Sequence, residues 1–375
     1  MTGKDRILKA FSNTGESDRV PFTIGLENVD LVSLSGLDCW DYQKQGHTML
    51  SELVNWSDEL GFDVFHYAAG IPQANPAGNI EIDTNETQTG EVRIIETNVM
   101  TPLGKIQQRR QYPRFGPEFT VERYIKNINK DWPAFKKYFG DDWKVGGRFF
   151  NEYKFVGSKG VVGIVVHTPV DFWQEFRNGG SEQMIYDFLD EKKIMYEFCE
   201  YYSVNSLAYL EKVASLIPKP DFVLIHGSNC SASLISPHIF KNFALPYIEK
   251  ASSLLKKHNI YSVLHICGKC SEWLGMIADT DVDVIDALEH PPAGNVDLAE
   301  VKRLYGKKLC LKGNVSAITM ACGTAEQVRT EVRQAIDAAA HDGGFLLDVG
   351  DSIGPKVSLE NIREFVKTAI EYGKC

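Results

Sequence analysis

Nowhere in the 375-residue chain do apolar residues run together for the ~18 positions that a membrane-spanning helix requires, so a membrane span is not expected. The opening Met1-Thr-Gly-Lys-Asp-Arg-Ile lacks the apolar core of a secretory signal, and a cytoplasmic location follows as the expectation. Lys and Arg never form a block long enough to track a phosphate backbone, and the formal charge is −10, which argues against nucleic acid as a partner. In that field a polyanionic substrate would need a local basic pocket. Cysteine is sparse: eight residues without a secretory signal point to reduced thiols and not to a disulfide framework. Internal repeats and low-complexity linkers are also missing, which removes solenoids and strings of small modules.

What is present is ordinary for a globular protein with a sizeable core, 43% hydrophobic and 24% charged. From residue 161 onward, short β-branched runs alternate with amphipathic stretches, the pattern of a parallel sheet wrapped by helices. Strands are expected at 161–166, 222–226, 261–266, 282–288, 308–312 and 345–348, with two more at 20–26 and 62–67. Eight strands imply an α/β fold of the (β/α)8 TIM-barrel type, read as a single domain over 1–375. A two-domain division near 143–159 is the alternative. Residues 79–113 break the rhythm, with alternating segments such as Glu91-Val-Arg-Ile-Ile-Glu-Thr and Lys105-Ile-Gln-Gln-Arg-Arg, and read as an inserted antiparallel ribbon. Crossover helices are expected at 237–258, where Ser236 caps and Pro237 opens the first turn, and at 325–340, where Thr324 caps.

In a barrel of this kind the reactive groups follow the C-terminal ends of the strands. Those positions hold Glu27, His66, His167 with Asp171, His226 with Ser228, Asn229 and Cys230, then His265 with Cys267, Glu289 with His290, Asn314, and Asp348 with Asp351. His265 and Cys267 stand two apart at a strand end, so they face the same side and can converge on one cation. Imidazole and thiolate together suit zinc. The same spacing also fits a hydrogen-bonded strand-end histidine beside a small apolar cysteine. Cys267 and Cys270 form a C-x-x-C, but no second pair completes a zinc ribbon and no thioredoxin-like context surrounds it. Phe172 and Trp173, just after the 161–166 strand, either wall an aryl pocket or pack a helix start.

The stretches Leu234-Ile-Ser-Pro237, Phe243-Ala-Leu-Pro246, Leu264-His-Ile-Cys-Gly268, Leu311-Lys-Gly-Asn314 and Leu359-Glu-Asn-Ile-Arg363 resemble the C-terminal half of the uroporphyrinogen decarboxylase superfamily. Asp18-Arg-Val-Pro21 resembles the opening of its first strand. The resemblance is specific from about residue 220 onward and vague between about 70 and 160. Within that superfamily, His-x-Cys after the fifth strand is the zinc signature of the corrinoid-dependent methyltransferases, including the coenzyme M enzymes and O-demethylase components. The resemblance thus implies zinc at His265 and Cys267. Decarboxylases carry an Arg-rich segment after the first strand, and here that place reads Gly25-Leu-Glu-Asn-Val-Asp30.

One departure bears on function. Where the coenzyme M enzymes place a third ligand, a Cys after the last strand, Val349-Gly-Asp-Ser-Ile-Gly-Pro355 offers Asp351, with Cys230 or Glu289 as alternatives. An oxygen ligand makes zinc a harder Lewis acid and favours an oxygen substrate over a thiol. The resemblance then implies methyl transfer between a small methoxylated substrate, an aryl methyl ether, and the cobalt of a cobalamin-type corrinoid. A separate protein would carry the corrinoid, since the chain has no Asp-x-His-x-x-Gly motif. The expected roles are His167, Asn229 and Glu27 in catalysis, Phe172, Trp173 and His226 against substrate, and His265, Cys267 and Asp351 on the metal. A homodimer is compatible with all of this. The alternatives are a coenzyme M-type thiol methyltransferase, a decarboxylase-like enzyme without metal, and a non-catalytic partner of a corrinoid protein.

Overall fold

The computed structural model describes residues 1–14, 17–26, 28–45, 48–68, 76, 79–354 and 357–374, apart from the side chains of Asn28 and Val29. Among the described residues, strands fall into two sheets. The parallel sheet holds β1 (Val64–Tyr67), β6 (Gly160–His167), β7 (Phe222–His226), β8 (Tyr261–Ile266), β9 (Val284–Ala287), β10 (Cys310–Val315) and β11 (Phe345–Val349), in the order β1-β6-β7-β8-β9-β10-β11. The antiparallel sheet holds β2 (Glu81–Thr89), β3 (Val92–Thr101), β4 (Gly104–Pro113) and β5 (Phe119–Glu122). It occupies the place of the expected ribbon but gains a fourth strand and extends to Glu122.

The segment 20–26, expected as a strand, is extended without forming a regular ladder. On one side Thr23 N donates to Leu347 O and Leu347 N to Pro21 O, each at 3.0 Å; on the other, Asp63 N donates to Phe22 O at 2.9 Å. It therefore bridges β11 and the start of β1, and the seven strands with this segment are TIM-barrel-like. Two residues interrupt the ladder: Pro21 has no N–H to give, and the Phe22 N–H goes to the Asp63 carboxylate at 3.3 Å.

Period-two alternation sorts the strand residues. Val161, Val165, Phe222, Leu224, Val263, Val284, Cys310 and Leu346 form the inner cluster, whereas Val162, Ile164, Val166, Ile225, Leu264, Ile285 and Leu311 pack outward beneath the helices. Helix Gly3–Phe11 closes the end where the strands begin, and Ile7, Ala10 and Phe11 join the inner cluster. The Phe11 ring stands edge-on to Phe65, Phe222 and Tyr261 at 6.5, 6.3 and 5.4 Å. Burying one such side chain is worth roughly 1.5–3 kcal/mol. Gly163 makes the room for this packing, because a Cβ there would lie 2.5 Å from the Phe222 ring.

Helix 325–340 appears as Ala325–Ala339 with Thr324 as cap. The expected helix 237–258 runs as Pro237–Ile239, a π turn Phe240–Ala244 and Leu245–Lys257. Pro246 supplies no N–H, and the ladder widens just before it, Leu245 N donating to Phe240 O. No helix among the described residues is long and apolar enough to cross a membrane.

Candidate metal centre

Strands β6, β7 and β8 carry His167, His226 and His265 as register partners across the sheet. Each stands two residues beyond an inward valine or leucine, so each faces inward at the C-terminal end of the sheet. Neighbouring rings are 5.1 and 5.4 Å apart. Cys267 follows β8 directly. Gly268 then takes φ +73°, turning the chain sharply where a Cβ would come within 2.7 Å of Ser231 Oγ, and its N–H is accepted by Glu289 Oε2. Asp351 arrives from the loop after β11. The ligand atoms of His265, Cys267 and Asp351 all lie within 4.8 Å of one another.

A row of buried polar side chains backs this cluster. His265 Nδ1 is 2.9 Å from Asp286 Oδ2, which leaves Nε2 as the nitrogen able to bind a cation. Asp286 Oδ1 accepts from Lys312 Nζ at 2.8 Å, and the same ammonium lies 2.7 Å from Asp348 Oδ2. Thr23 Oγ1 donates to that oxygen at 2.5 Å and ends the row in segment 20–26. Burial alone would push His265 down, but Asp286 and Cys267 outweigh it and hold the imidazole above its usual pKa. Burial would likewise discharge Lys312, yet the two carboxylates raise it. A histidine fixed by a carboxylate, a thiol beside it and a carboxylate opposite form a donor set that fits a zinc ion.

The cluster opens on a cavity of about 180 Å3. Its polar wall includes His226, His265, Cys267, Lys312 and Asp351, and its apolar wall Ile24, Leu26, Met49, Leu53, Phe65 and Tyr67. Lys312 is the one Lys or Arg among the described lining residues, and its charge is already matched.

The family model described as uroporphyrinogen decarboxylase (URO-D) matches residues 176–372, more than half of the 375. The chain belongs to the URO-D family. The methylcobamide:CoM methyltransferase MtaA of Methanosarcina barkeri is 31% identical over 154 residues, 40% of this chain and 42% of the relative. The methylcobamide:CoM methyltransferase MtbA of Methanosarcina mazei is 24% identical over 268 residues, covering 67% and 71%. A uroporphyrinogen decarboxylase of Chlorobium luteolum is 28% identical over 143 residues, covering 36% and 39%. The match thus spans less than half the length of MtaA and of the decarboxylase. In three dimensions the fold is similar to that of a methyltransferase from Methanosarcina mazei, with a TM-score of 0.66 at 18% identity and 99% of both chains covered.

This URO-D chain distributes the other expected residues unevenly. His226 lines the cavity, with Nε2 3.1 Å from Ser228 Oγ and Nδ1 3.6 Å from Asp171 Oδ1, too long for a hydrogen bond. His167 lies one strand away, outside the described lining, and burial together with the charge of His226 pushes its pKa down to about 3. Asn229 braces the site: its N and Nδ2 donate to Asp171 Oδ1 at 2.9 and 3.0 Å, and its Oδ1 accepts from Ser181 at 2.9 Å. Glu27 lies outside the described residues.

Phe172 and Trp173 are a correction. Both are buried in helix Pro169–Phe176, facing away from the cavity into an aromatic cluster: Phe172 lies 4.7 Å from Tyr202 and 5.2 Å from Phe139, and Trp173 4.8 Å from Phe198. The 3.6-residue helical period turns these apolar positions toward the neighbouring helices. His66 is another, since strand alternation points it outward to Glu152 Oε2 at 2.9 Å. Cys230 is fully buried outside the three-residue ligand group, and burial raises its thiol well above the usual value. Sequence reasoning missed Lys312 and Asp286, although charged residues at inward positions of apolar strands are a readable signal. It missed Phe65 and Tyr67 for want of asking which way the first wall faces.

Proposed function

We propose that this URO-D chain is a zinc-dependent methyltransferase that moves a methyl group between a small methoxylated compound, an aryl methyl ether, and the cobalt of a corrinoid protein. The observation that carries the reading is the convergence of His265, Cys267 and Asp351 within 4.8 Å, with all three lining a cavity that Phe65 and Tyr67 also line. His265 Nε2, Cys267 Sγ and Asp351 would hold a zinc ion, which when bound would supply Lewis acidity toward a substrate oxygen. Around it, Asp286 fixes the His265 ring and tautomer, and Asn229 braces the Asp171 carboxylate beside His226. Phe65 and Tyr67 take an aryl ring, with Ile24, Leu26 and Leu53 keeping water from it. His226, paired with Ser228, is placed to hold a proton near the leaving oxygen. His167 acts behind it as a neutral neighbour.

Charge disfavours a tetrapyrrole decarboxylase, because a polyanion would meet Asp286, Asp348 and Asp351 with no unmatched Lys or Arg among the described lining residues. The names of MtaA and MtbA favour a second reading, in which the methyl acceptor is a small thiol. Asp351 supports the first, as an oxygen donor hardens the metal.

The test is the metal content of the purified full chain beside His265→Ala, followed by assays with a reduced corrinoid protein. About one zinc per chain is expected, with none in the variant. Methoxylated aromatics should then methylate the cobalt, read from the visible spectrum. Inert methoxylated aromatics combined with rapid thiol methylation would give the case to the second reading. Metal-free protein, purified without chelator, would sink both.

A further inference from the structure

We infer that Lys312 is a positioning residue for the metal centre, holding the His265 arm and the Asp351 arm of the site in one arrangement. The inference rests on the metal reading above. Position 312 faces into the barrel one rung beyond Cys310, which belongs to the apolar inner cluster. A hydrophobic side chain would be the ordinary occupant there. A buried ion cluster is often no more stable than a well-packed apolar replacement, so stability does not account for a lysine at this place.

Geometry does account for it. Lys312 Nζ is 2.8 Å from Asp286 Oδ1 and 2.7 Å from Asp348 Oδ2, and it sits 4.9 Å from the centre of the Phe65 ring. The other oxygen of Asp286 holds His265 Nδ1 at 2.9 Å. Asp348 stands three residues before Asp351, is buried, and is pinned by Thr23 and by the N–H of Val349 at 2.7 Å. One ammonium thus ties the carboxylate that aims the histidine ligand to the strand end that launches the carboxylate ligand. Partners of this kind set the orientation and basicity of metal-binding histidines. Without the ammonium, two buried carboxylates lose their common counter-charge, and Asp286 Oδ1 keeps only the Ala287 N–H at 2.8 Å.

The test uses the full-length protein, stripped and reloaded, with zinc affinity measured against a chromophoric chelator. The cobalt(II) form is read by its thiolate charge-transfer and d–d bands. Lys312→Met should stay folded by circular dichroism, bind zinc roughly 10–100-fold more weakly and shift the cobalt bands. Asp348→Asn, which leaves the His265 to Asp286 contact untouched, should weaken zinc in the same direction by less. A folded Lys312→Met protein with wild-type affinity and cobalt spectrum would overturn the inference. If that variant fails to fold, unchanged affinity and spectrum in Asp348→Asn would overturn it equally. Wild-type protein that takes up no zinc, or His265→Ala that keeps it, would remove the metal reading itself, a failure distinguishable from that of Lys312.

Discussion

Across the cavity, a cross-braced polar wall running from β7 to β11 faces an apolar wall made by segment 20–26, helix Met49–Leu60 and β1. On the polar side nearly every group is fixed by a partner: His265 by Asp286, Asp286 and Asp348 by Lys312, Asp348 also by Thr23. Ile24, Leu26, Met49 and Leu53 have shape alone, Phe65 adds a ring that lies 4.9 Å from Lys312 Nζ, and Tyr67 adds a hydroxyl. The family match at 176–372 contains the polar wall from β7 to β11 and none of the apolar one. The difference teaches that likeness to the URO-D family reaches only the polar half of this cavity, so that under the proposed function substrate choice would rest on a part of the chain that the family model does not cover.

Breaking the polar wall should have the largest effect. Cys267→Ser is expected to lose most of its zinc, measured by plasma mass spectrometry, and more than roughly 100-fold in methyl transfer, because its sulfur would be the one soft donor among the three proposed ligands. Retention of full metal and rate would remove Cys267 from the site. On the apolar wall, Tyr67→Ala should leave the zinc content unchanged and raise KM for an aryl substrate about tenfold. An effect confined to kcat would show that this wall takes part in the chemistry.

Phe172→Ala sharpens the contrast from outside the cavity. Since the ring packs among Phe139, Trp143 and Tyr202, the variant should lose roughly 3–5 kcal/mol of stability in denaturant unfolding with KM little changed. The last expected effect concerns pH. His167, pushed down to about 3 from its ordinary 6.5, binds its proton more readily in the unfolded chain. Its contribution to stability is therefore complete above about pH 6.5 and drains away as pH falls toward about 3. His167→Gln should show a shallower fall of Tm over that window. Parallel Tm curves would mean that another group carries the acid sensitivity.

The sequence made six strands of the parallel sheet legible from residue 161 onward because β-branched runs such as Val161–Val166 and Phe222–Ile225 have no polar interruption and end in recognisable turns. Segment 20–26 reads Val-Pro-Phe-Thr-Ile-Gly-Leu, extended but broken by Pro21, and that the Asp63 side chain takes the place of a ladder partner is revealed only by tertiary contact. His265 and Cys267 could be paired from one strand end, whereas Asp351 entered only through the resemblance to the zinc-dependent methyltransferases, with Cys230 and Glu289 beside it as alternatives. Of the row behind this cluster, Asp286 and Lys312 stand out as charges on apolar strands, but that they meet follows only from the β9–β10 register. The misreading of Phe172 and Trp173 has a plain source: an aromatic pair after a strand end fits a pocket wall and a helix face equally well until the direction of the helix is known.

The aromatic plug formed by helix Gly3–Phe11 bears on traffic. The strand-start end of the barrel is filled by Phe11, Phe222 and Tyr261, so under the proposed function a small substrate and a bulky cobalt carrier would share the opposite doorway. The small molecule would then enter first, before the carrier docks over it, and leave last. For the proposed reaction this sets an order of arrival: steady-state rates should follow an ordered pattern, with excess carrier protein inhibiting competitively against the small substrate. Random-order kinetics would mean that the doorway is wider than the plug implies.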